Sequence, residues 1–376
     1  MTITTGTITT SDAALNQPFP PLPSLREQRW EGPTHLVLSE YPVFRRFWYS
    51  IGFSADFTTA PAKRRVLSQD LVVWRPDADS PVSVAYDRCG HRDLPLTLGE
   101  VENCRLVCAY HGWEWDADGT TRRIPQFPDS RIPVKSSLRM VDSQEKYGLV
   151  WVCLADESEG GPIGEPMPVP FYGDEGWRII PEKAWEFNCS AMHLLENNFD
   201  PGHVAFVHQN SFGDRNKPEL TDATVVRTDY GLLVHNEVPV RSRPGESGAS
   251  VRRSEAKFYA PFSGVIVTVY PDGLAQVMVK AITPIDDFRC VNVQILLRND
   301  TEEDRPAAEA VAFDQVAEDE DKLILDALPD EYPVAPHLNA HAHADRASLA
   351  LRAIWHDMML GKFVPTPGIN SGDVLE

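Results

Sequence analysis

Between about Phe44 and Cys153 the apolar residues come in short bursts, FWYSIGF, DLVVWRP, VSVAYD, RLVCAY and GLVWVCLA, each bounded by Gly, Pro, Asp or Asn. Bursts of this length, rich in β-branched and aromatic side chains and parted by turn residues, predict an antiparallel β domain. The stretch ESEGGPIGEPMPVPFYGDEG, from Glu157 to Gly176, concentrates Gly and Pro and reads as a boundary. Beyond it a strand-like run from Trp177 leads into the helix-like AMHLLENNFD. Later, GVIVTVYPDG, LAQVMVKAITPI and RCVNVQILLR alternate or are β-rich, which predicts a meandering sheet. PAAEAVAFDQVAEDEDKLILDAL has helical spacing, and RASLALRAIWHDMMLGK gives a closing amphipathic helix. The pattern predicts an α+β chain in three parts: an N-terminal arm over 1–43, whose start is rich in Thr, Pro and Ser, a β domain over 44–160, and a second domain over 161–376.

Composition narrows the partners. A chain of 376 residues with 42% hydrophobic and 24% charged residues has enough interior for two packed domains and a buried site. Its 35 basic against 55 acidic residues give a formal charge of −20, which repels nucleic acid and anionic membrane surfaces and leaves small molecules and basic proteins as partners. There is no apolar run of about 18 residues, and the opening MTITTGTITTSDAALNQPFPPLPS has neither a basic head nor an apolar core, so a cytoplasmic protein is expected. Six cysteines scattered over this length do not suggest a disulfide framework; reduced thiols or metal ligation fit better.

Four of the candidate metal ligands form one constellation. Cys89-Gly-His91 and Cys108-Ala-Tyr-His111 each follow a β-run and each lie close to glycine. Two thiolates and two imidazoles converging on one point suit zinc, and they equally suit an iron–sulfur cluster in which two histidines replace two cysteines on one iron. Zinc more often uses Cys-x₂-Cys and His-x₃₋₅-His pairs, whereas Cys and His separated by one residue and then by two resemble the Rieske pattern. The surrounding CGHRDLPLTLGEV and YHGWEWDADG resemble the two cluster loops of the Rieske domain of ring-hydroxylating and demethylating oxygenases. That resemblance implies Cys89 and Cys108 on one iron and His91 and His111 on the other. Cys104 is read as a core residue, as are Cys153, Cys189 and Cys290.

The second constellation is Glu196-Asn-Asn-Phe-Asp200-Pro-Gly-His203-Val-Ala-Phe-Val-His208. Histidines five apart do not share one face of a straight helix, and the Pro-Gly pair supplies the break that re-aims the second. Two imidazoles with one carboxylate and open positions suit a ferrous iron that activates O₂. The motif resembles Asn/Asp-x-x-Asp-x-x-His-x₄-His of the Rieske oxygenase alpha subunit. By that resemblance His203 and His208 bind iron, and Asp200 orients His203 and reaches His111 of a neighbouring subunit. Asn197 takes a structural role.

The third ligand is sought in EDEDKLILDAL. With Phe313, Ala317, Ile324 and Leu328 taken as the inward face, Asp321 and Glu320 point inwards or nearly so and Asp319 points away. The family's Asp-x-x-Ile/Val pattern matches Asp321-Lys-Leu-Ile-Leu and selects Asp321, with Glu320 and Asp319 as the alternatives in a run of acids that blurs the register. His337, His341 and His343 invite a further metal site, but an Ala-rich, Pro-flanked loop is more often simply exposed. His193 and His356 are read as packing or surface residues.

Taken together, the resemblance implies a Rieske domain followed by a helix-grip (Bet v 1/START-like) catalytic domain, with a [2Fe–2S] cluster and a mononuclear Fe(II). It implies hydroxylation or N- or O-demethylation with O₂, since carbon–hydrogen bonds resist O₂ unless electrons arrive singly. No GxGxxG-type flavin or nicotinamide motif is visible, so a separate reductase or ferredoxin is expected as donor. A homotrimer is implied, because a heterologous contact that closes forms a ring. The substrate pocket is expected between the three strands from Gly264 to Arg298 and the helix bearing Asn197. With few fixed charges there, a largely apolar or heterocyclic molecule is favoured. Two rivals compete: a Rieske electron carrier without oxygenase activity, which has no need of His203 and His208 in register, and a non-enzymatic zinc protein.

Overall fold

The computed structural model of the chain describes residues 30–240, 250–270 and 273–365. The expected N-terminal arm lies outside the described residues as far as residue 29. The described residues form two compact units, one made of Leu38–Pro166 with Thr283–Asp287, the other of those in 30–37, 167–282 and 288–365.

The first unit is β-rich, with β1 (Tyr49–Phe53), β2 (Ala62–Val66), β3 (Gln69–Trp74), β4 (Ser83–Tyr86), β5 (Glu100–Glu102), β6 (Arg105–Val107), β7 (Glu114–Trp115), β8 (Thr121–Arg123), β9 (Asp142–Lys146) and β10 (Leu149–Cys153). They pair antiparallel in the orders β1-β10-β9, β2-β3-β4 and β5-β6-β7-β8. The continuous apolar runs LVVW and LVWVC become the central strands β3 and β10, buried along those runs, as such runs require. Trp74, Trp115, Ala85, Leu96 and Leu106 form a core that also encloses Cys89 and Cys108.

In the second unit, β11 (Arg178–Phe187) precedes α1 (Ala191–Phe199) and the short α2 (Val204–Val207). Then come β12 (Thr224–Arg227), β13 (Gly231–Val240), β14 (Ser250–Tyr259), β15 (Ser263–Val269), β16 (Ala275–Pro284) and β17 (Cys290–Arg298), followed by α3 (Ala307–Leu325) and α4 (Arg346–Met359). The sheet order is β11-β17-β16-β15-β14-β13-β12, a meander with its first strand placed at the far edge. Ala310 of α3 packs on Ile180 and Leu296, which lays the helix against the sheet. The architecture is α+β. Among the described residues no helix is long and apolar enough to cross a membrane.

The face that α3 buries differs from the expected one. Ala310, Asp314, Glu318, Asp321 and Leu325 are buried, whereas Phe313, Ile324 and Leu328 are 39%, 48% and 37% exposed. The apolar residues misdirect the phasing because the sheet offers α3 polar partners rather than an oily floor. Cys104 also departs from expectation: it is exposed, in the turn between β5 and β6 with φ 62°.

Candidate metal centres

Cys89 and His91 sit on the connection from β4 to β5, and Cys108 and His111 on that from β6 to β7. The two loops are built alike. In one, Cys89 N donates to Leu94 O (2.9 Å) and Asp93 N to Cys89 O (3.0 Å). In the other, Cys108 N donates to Trp113 O (2.9 Å) and Gly112 N to Cys108 O (2.9 Å). The residue four past each cysteine is left-handed, Asp93 at φ 58° and Gly112 at φ 66°, a conformation that favours Gly and tolerates Asp. Gly90 is needed for room, since a Cβ there would lie 2.6 Å from the Ser136 carbonyl oxygen.

Both thiols are 2% exposed, and the two imidazoles meet edge to face with centroids 4.6 Å apart, His91 stacked on Trp113 at 4.3 Å. Burial pushes the Cys89 thiol up, opposed by the backbone N–H groups of His91 and Arg92 that point at its sulfur. Burial, with His111 and Arg92 nearby, lowers the His91 imidazole and so favours the neutral, metal-binding form. Nδ1 of His91 and Nδ1 of His111 are buried with no hydrogen-bond partner, an arrangement that buried polar atoms avoid unless something else binds them. Among the described residues no three of the four ligand atoms lie within 4.8 Å of one another. One zinc, about 2.0–2.3 Å from each ligand, would hold them within about 4.6 Å. A two-iron cluster spreads its ligands over two metals. The donor set therefore fits the cluster better than a single ion.

In the second unit, Ser190 caps α1 by accepting from His193 N, and the helix stops at Asp200, ahead of Pro201. The chain turns back on Asp200, whose Oδ1 accepts from Gly202 N (2.8 Å) and whose Oδ2 accepts from His203 N (3.0 Å) and lies 3.3 Å from His203 Nδ1. His203 Nε2 and His208 Nε2 are thereby brought 3.2 Å apart. Asp321 Oδ1 of α3 completes the triangle at 3.7 Å from the first and 3.3 Å from the second. Ligand atoms about 2.1 Å from one ion lie within about 4.2 Å of each other, so the triangle fits a single metal. Asp321 Oδ1 is itself buried without a hydrogen-bond partner.

The three consecutive acids on α3 have three destinations. Asp321 joins the histidines; Glu320 Oε2 lies 3.1 Å from His208 Nδ1 and accepts from Ser211 Oγ (2.6 Å); Asp319 is exposed and accepts from Gln315 (2.6 Å). Burial alone would lower the His203 imidazole, but Asp200 and Asp321 outweigh it and raise it. Burial wins at His208, helped by His203, and lowers it. Glu320, an alternative ligand on the sequence alone, instead meets the other nitrogen of His208. The signal that could have found it is the need of a metal-bound histidine for an acceptor at its other nitrogen.

The triad opens on a cavity of about 930 Å³. Alternate residues of each strand face it: Asn236, Val238 and Val240 on β13, Arg252, Ser254 and Ala256 on β14, Gln276, Met278 and Lys280 on β16. Cross-strand register aligns them, Ala256 with Ile266 and Ile266 with Met278. The expected wall is corrected in two respects. β13, β14 and α3 contribute as well as the three later strands, and fixed charges are present, Lys280, Arg298, Asp314 and Glu318 among them. Asn198, rather than Asn197, reaches the cavity, while the Asn197 carbonyl accepts from Asp200 N. Of the late histidines, His341 lies 2.9 Å from Pro336 O and exposed His343 pairs with Asp222. Among the described residues they gather no metal-binding set.

Two family models match the chain, the Rieske [2Fe-2S] domain over residues 47–138 and the vanillate O-demethylase oxygenase C-terminal domain over residues 187–360. Methylxanthine N1-demethylase NdmA of Pseudomonas putida is 26% identical over 338 residues, 84% of this chain and 90% of that protein. Methylxanthine N3-demethylase NdmB of the same organism is 26% identical over 336 residues, 85% and 90% of the two chains. Among solved structures, Pseudomonas putida CBB5 NdmA matches with a TM-score of 0.72 at 23% identity, covering 86% of this chain and 92% of that one. Dicamba monooxygenase bound to dicamba matches with a TM-score of 0.72 at 19% identity, covering 87% and 99%. These two structural likenesses are likenesses of fold.

Proposed function

Because the chain is the oxygenase (alpha) subunit of a Rieske non-haem iron oxygenase, of the demethylase-like kind, we propose an assignment of its metal ligands and its task. Cys89 and Cys108 hold one iron of the [2Fe–2S] cluster and His91 and His111 the other; His203, His208 and Asp321 hold the mononuclear Fe(II). When bound, the cluster supplies electrons one at a time and the mononuclear iron the chemistry of O₂. Asp200 fixes His203 by accepting at its Nδ1, and Glu320 does the same for His208, so both rings present Nε2 to the metal. The substrate is a small heterocyclic or largely apolar molecule that is hydroxylated or N- or O-demethylated. That methylxanthine N1- and N3-demethylases are among the relatives supports it.

Electrons come from a separate reductase or ferredoxin, as the family implies. A homotrimer, in which Asp200 links a neighbour's His111 to His203, is part of the proposal. So is a cytoplasmic location, where free cysteines and ferrous iron stay reduced. The domain limits proposed are 44–160 and 161–376. One observation carries the reading: two imidazole nitrogens and an unpartnered carboxylate oxygen, 3.2–3.7 Å apart, open on a cavity of substrate size. Metal analysis of anaerobically purified parent and His203→Ala proteins tests it. About three irons per chain are expected in the parent and about two in the variant. Equal iron in both, or zinc in place of iron, refutes it.

A further inference from the structure

Lys280 of β16 and Glu318 of α3 meet in the cavity wall, each side chain 5% exposed, with Nζ donating to Oε1. An ammonium has three donors and a carboxylate about four acceptor sites. Among the described residues the Lys280 ammonium makes this one hydrogen bond, and Glu318 Oε2 makes none. Both residues line the cavity, as does Asp321, which stands three residues beyond Glu318 on the same buried face of α3. The spare donors and the spare acceptor thus border the space that a substrate enters.

The neighbouring carboxylates are satisfied in another way. Glu182 is pushed up to about 10 by burial and by Asp314 beside it, so at neutral pH it keeps its proton and donates it to Asp314. One shared proton then serves Glu182 Oε1 and Asp314 Oδ2, while Gln294 Nε2 donates to Glu182 Oε2 at 2.6 Å. Burial, with Asp321 and Asp314 nearby, raises Glu318 while Lys280 beside it pulls the other way, and among the described residues no side chain answers its Oε2.

We propose that Lys280 and Glu318 are substrate-binding residues that select a neutral ring carrying an acceptor and a donor side by side, the C=O and N–H edge of a lactam, imide or ureide. The charges of the pair cancel, and this decides the class. A cationic ligand meets Lys280, an anionic one meets Glu318, and a hydrocarbon of the same shape strips water from both and returns nothing. A C=O and N–H edge answers both groups at once. Its placement near the metal rests on the reading of Asp321 as a ligand; the selection itself does not.

The test is equilibrium binding to the anaerobic, oxidised holoprotein, with no electron donor, of five ligands of one shape: 2-quinolone, quinoline, naphthalene, N-methylquinolinium and 2-naphthoate. The parent should bind 2-quinolone at least about tenfold more tightly than naphthalene, the equivalent of one well-made buried hydrogen bond. In the K280M/E318L double variant the order of those two should reverse. Replacing both members of a buried ion pair by apolar residues of similar size commonly leaves stability unharmed, and the melting temperature checks this. Naphthalene bound as tightly as 2-quinolone by the parent, or either ion bound more tightly than the lactam, overturns the proposal. So does an unchanged order in a folded double variant. If the order holds but the His203→Ala protein keeps the parent's iron, the assigned function fails and this inference stands.

Discussion

Removing Glu320 should weaken iron binding without abolishing it, and the size of the effect follows from its contacts. Its Oε2 lies 3.1 Å from His208 Nδ1 and 2.6 Å from Ser211 Oγ, and Oε1 accepts from Asn210 N at 3.2 Å. His208 is 3% exposed, so in Glu320→Ala no bulk water takes over at Nδ1, and the ring loses both its orientation and part of its basicity. Loss of such an outer partner costs about 10–100-fold in metal affinity, or about 1.4–2.7 kcal/mol. Asp321→Ala removes a ligand atom itself and should leave no mononuclear iron after desalting. Asp319→Ala removes an exposed carboxylate that accepts from Gln315, and surface changes of that kind fall within about 0.5 kcal/mol. The assay is anaerobic Fe(II) titration against a competing chelator, with the visible absorption of the cluster as the internal count of protein. Three neighbouring acids should thus give three outcomes. Parent-like affinity in Glu320→Ala, or a loss in Asp319→Ala equal to that in Asp321→Ala, refutes the assignment of α3.

Three further expectations follow from other parts of the molecule. Glu182→Gln keeps both hydrogen bonds but cannot ionise. Because folding raises the acid from 4.5 to about 10, the folded state holds a proton that the unfolded state has lost, and parent stability falls as pH rises through that window. The melting temperature of Glu182→Gln relative to the parent should therefore climb across that range; a constant difference contradicts it. Gly90→Ala puts a Cβ 2.6 Å from the Ser136 carbonyl oxygen, and overpacking of this kind costs about 1–3 kcal/mol, so cluster absorption per chain and the denaturation midpoint should both drop. Asp200→Asn should keep about three irons per chain while re-oxidation of the reduced cluster by O₂ and substrate slows by about tenfold or more; an unchanged single-turnover rate would count against its linking role.

Much of this could be read in the sequence because it depends on local order. Cys89-Gly-His91 and Cys108-Ala-Tyr-His111 are turn-bound, and the Pro-Gly break between Asp200 and His203 is written in adjacent letters. The strand bursts announced the central strands β3 and β10 for the same reason. What stayed hidden depends on partners far along the chain. The apolar letters Phe313, Ile324 and Leu328 placed Asp321 inward and Asp319 outward but are themselves exposed, because the buried face of α3 is set by partners such as Lys280 for Glu318 and the two histidines for Asp321. The charged wall was missed likewise: alternation within LAQVMVKAITPI shows that Gln276, Met278 and Lys280 share a face, but not that a carboxylate-bearing helix covers it.

The twin closure of the loops carrying Cys89 and Cys108 has a bearing on how the protein can change. Each loop is closed by the same two main-chain bonds at the same offsets, with a side-chain bond added within the first from Arg88 to Asp93 and to the second from Gln126 to the His111 carbonyl, and one residue or two separate thiol from imidazole. The sulfur positions are therefore insulated from the identity of intervening side chains such as Arg92, Ala109 and Tyr110. Reduction potential can then drift through substitutions at those places while the cradle keeps its shape, leaving the electron-storing part of the molecule adjustable to new donors without being rebuilt.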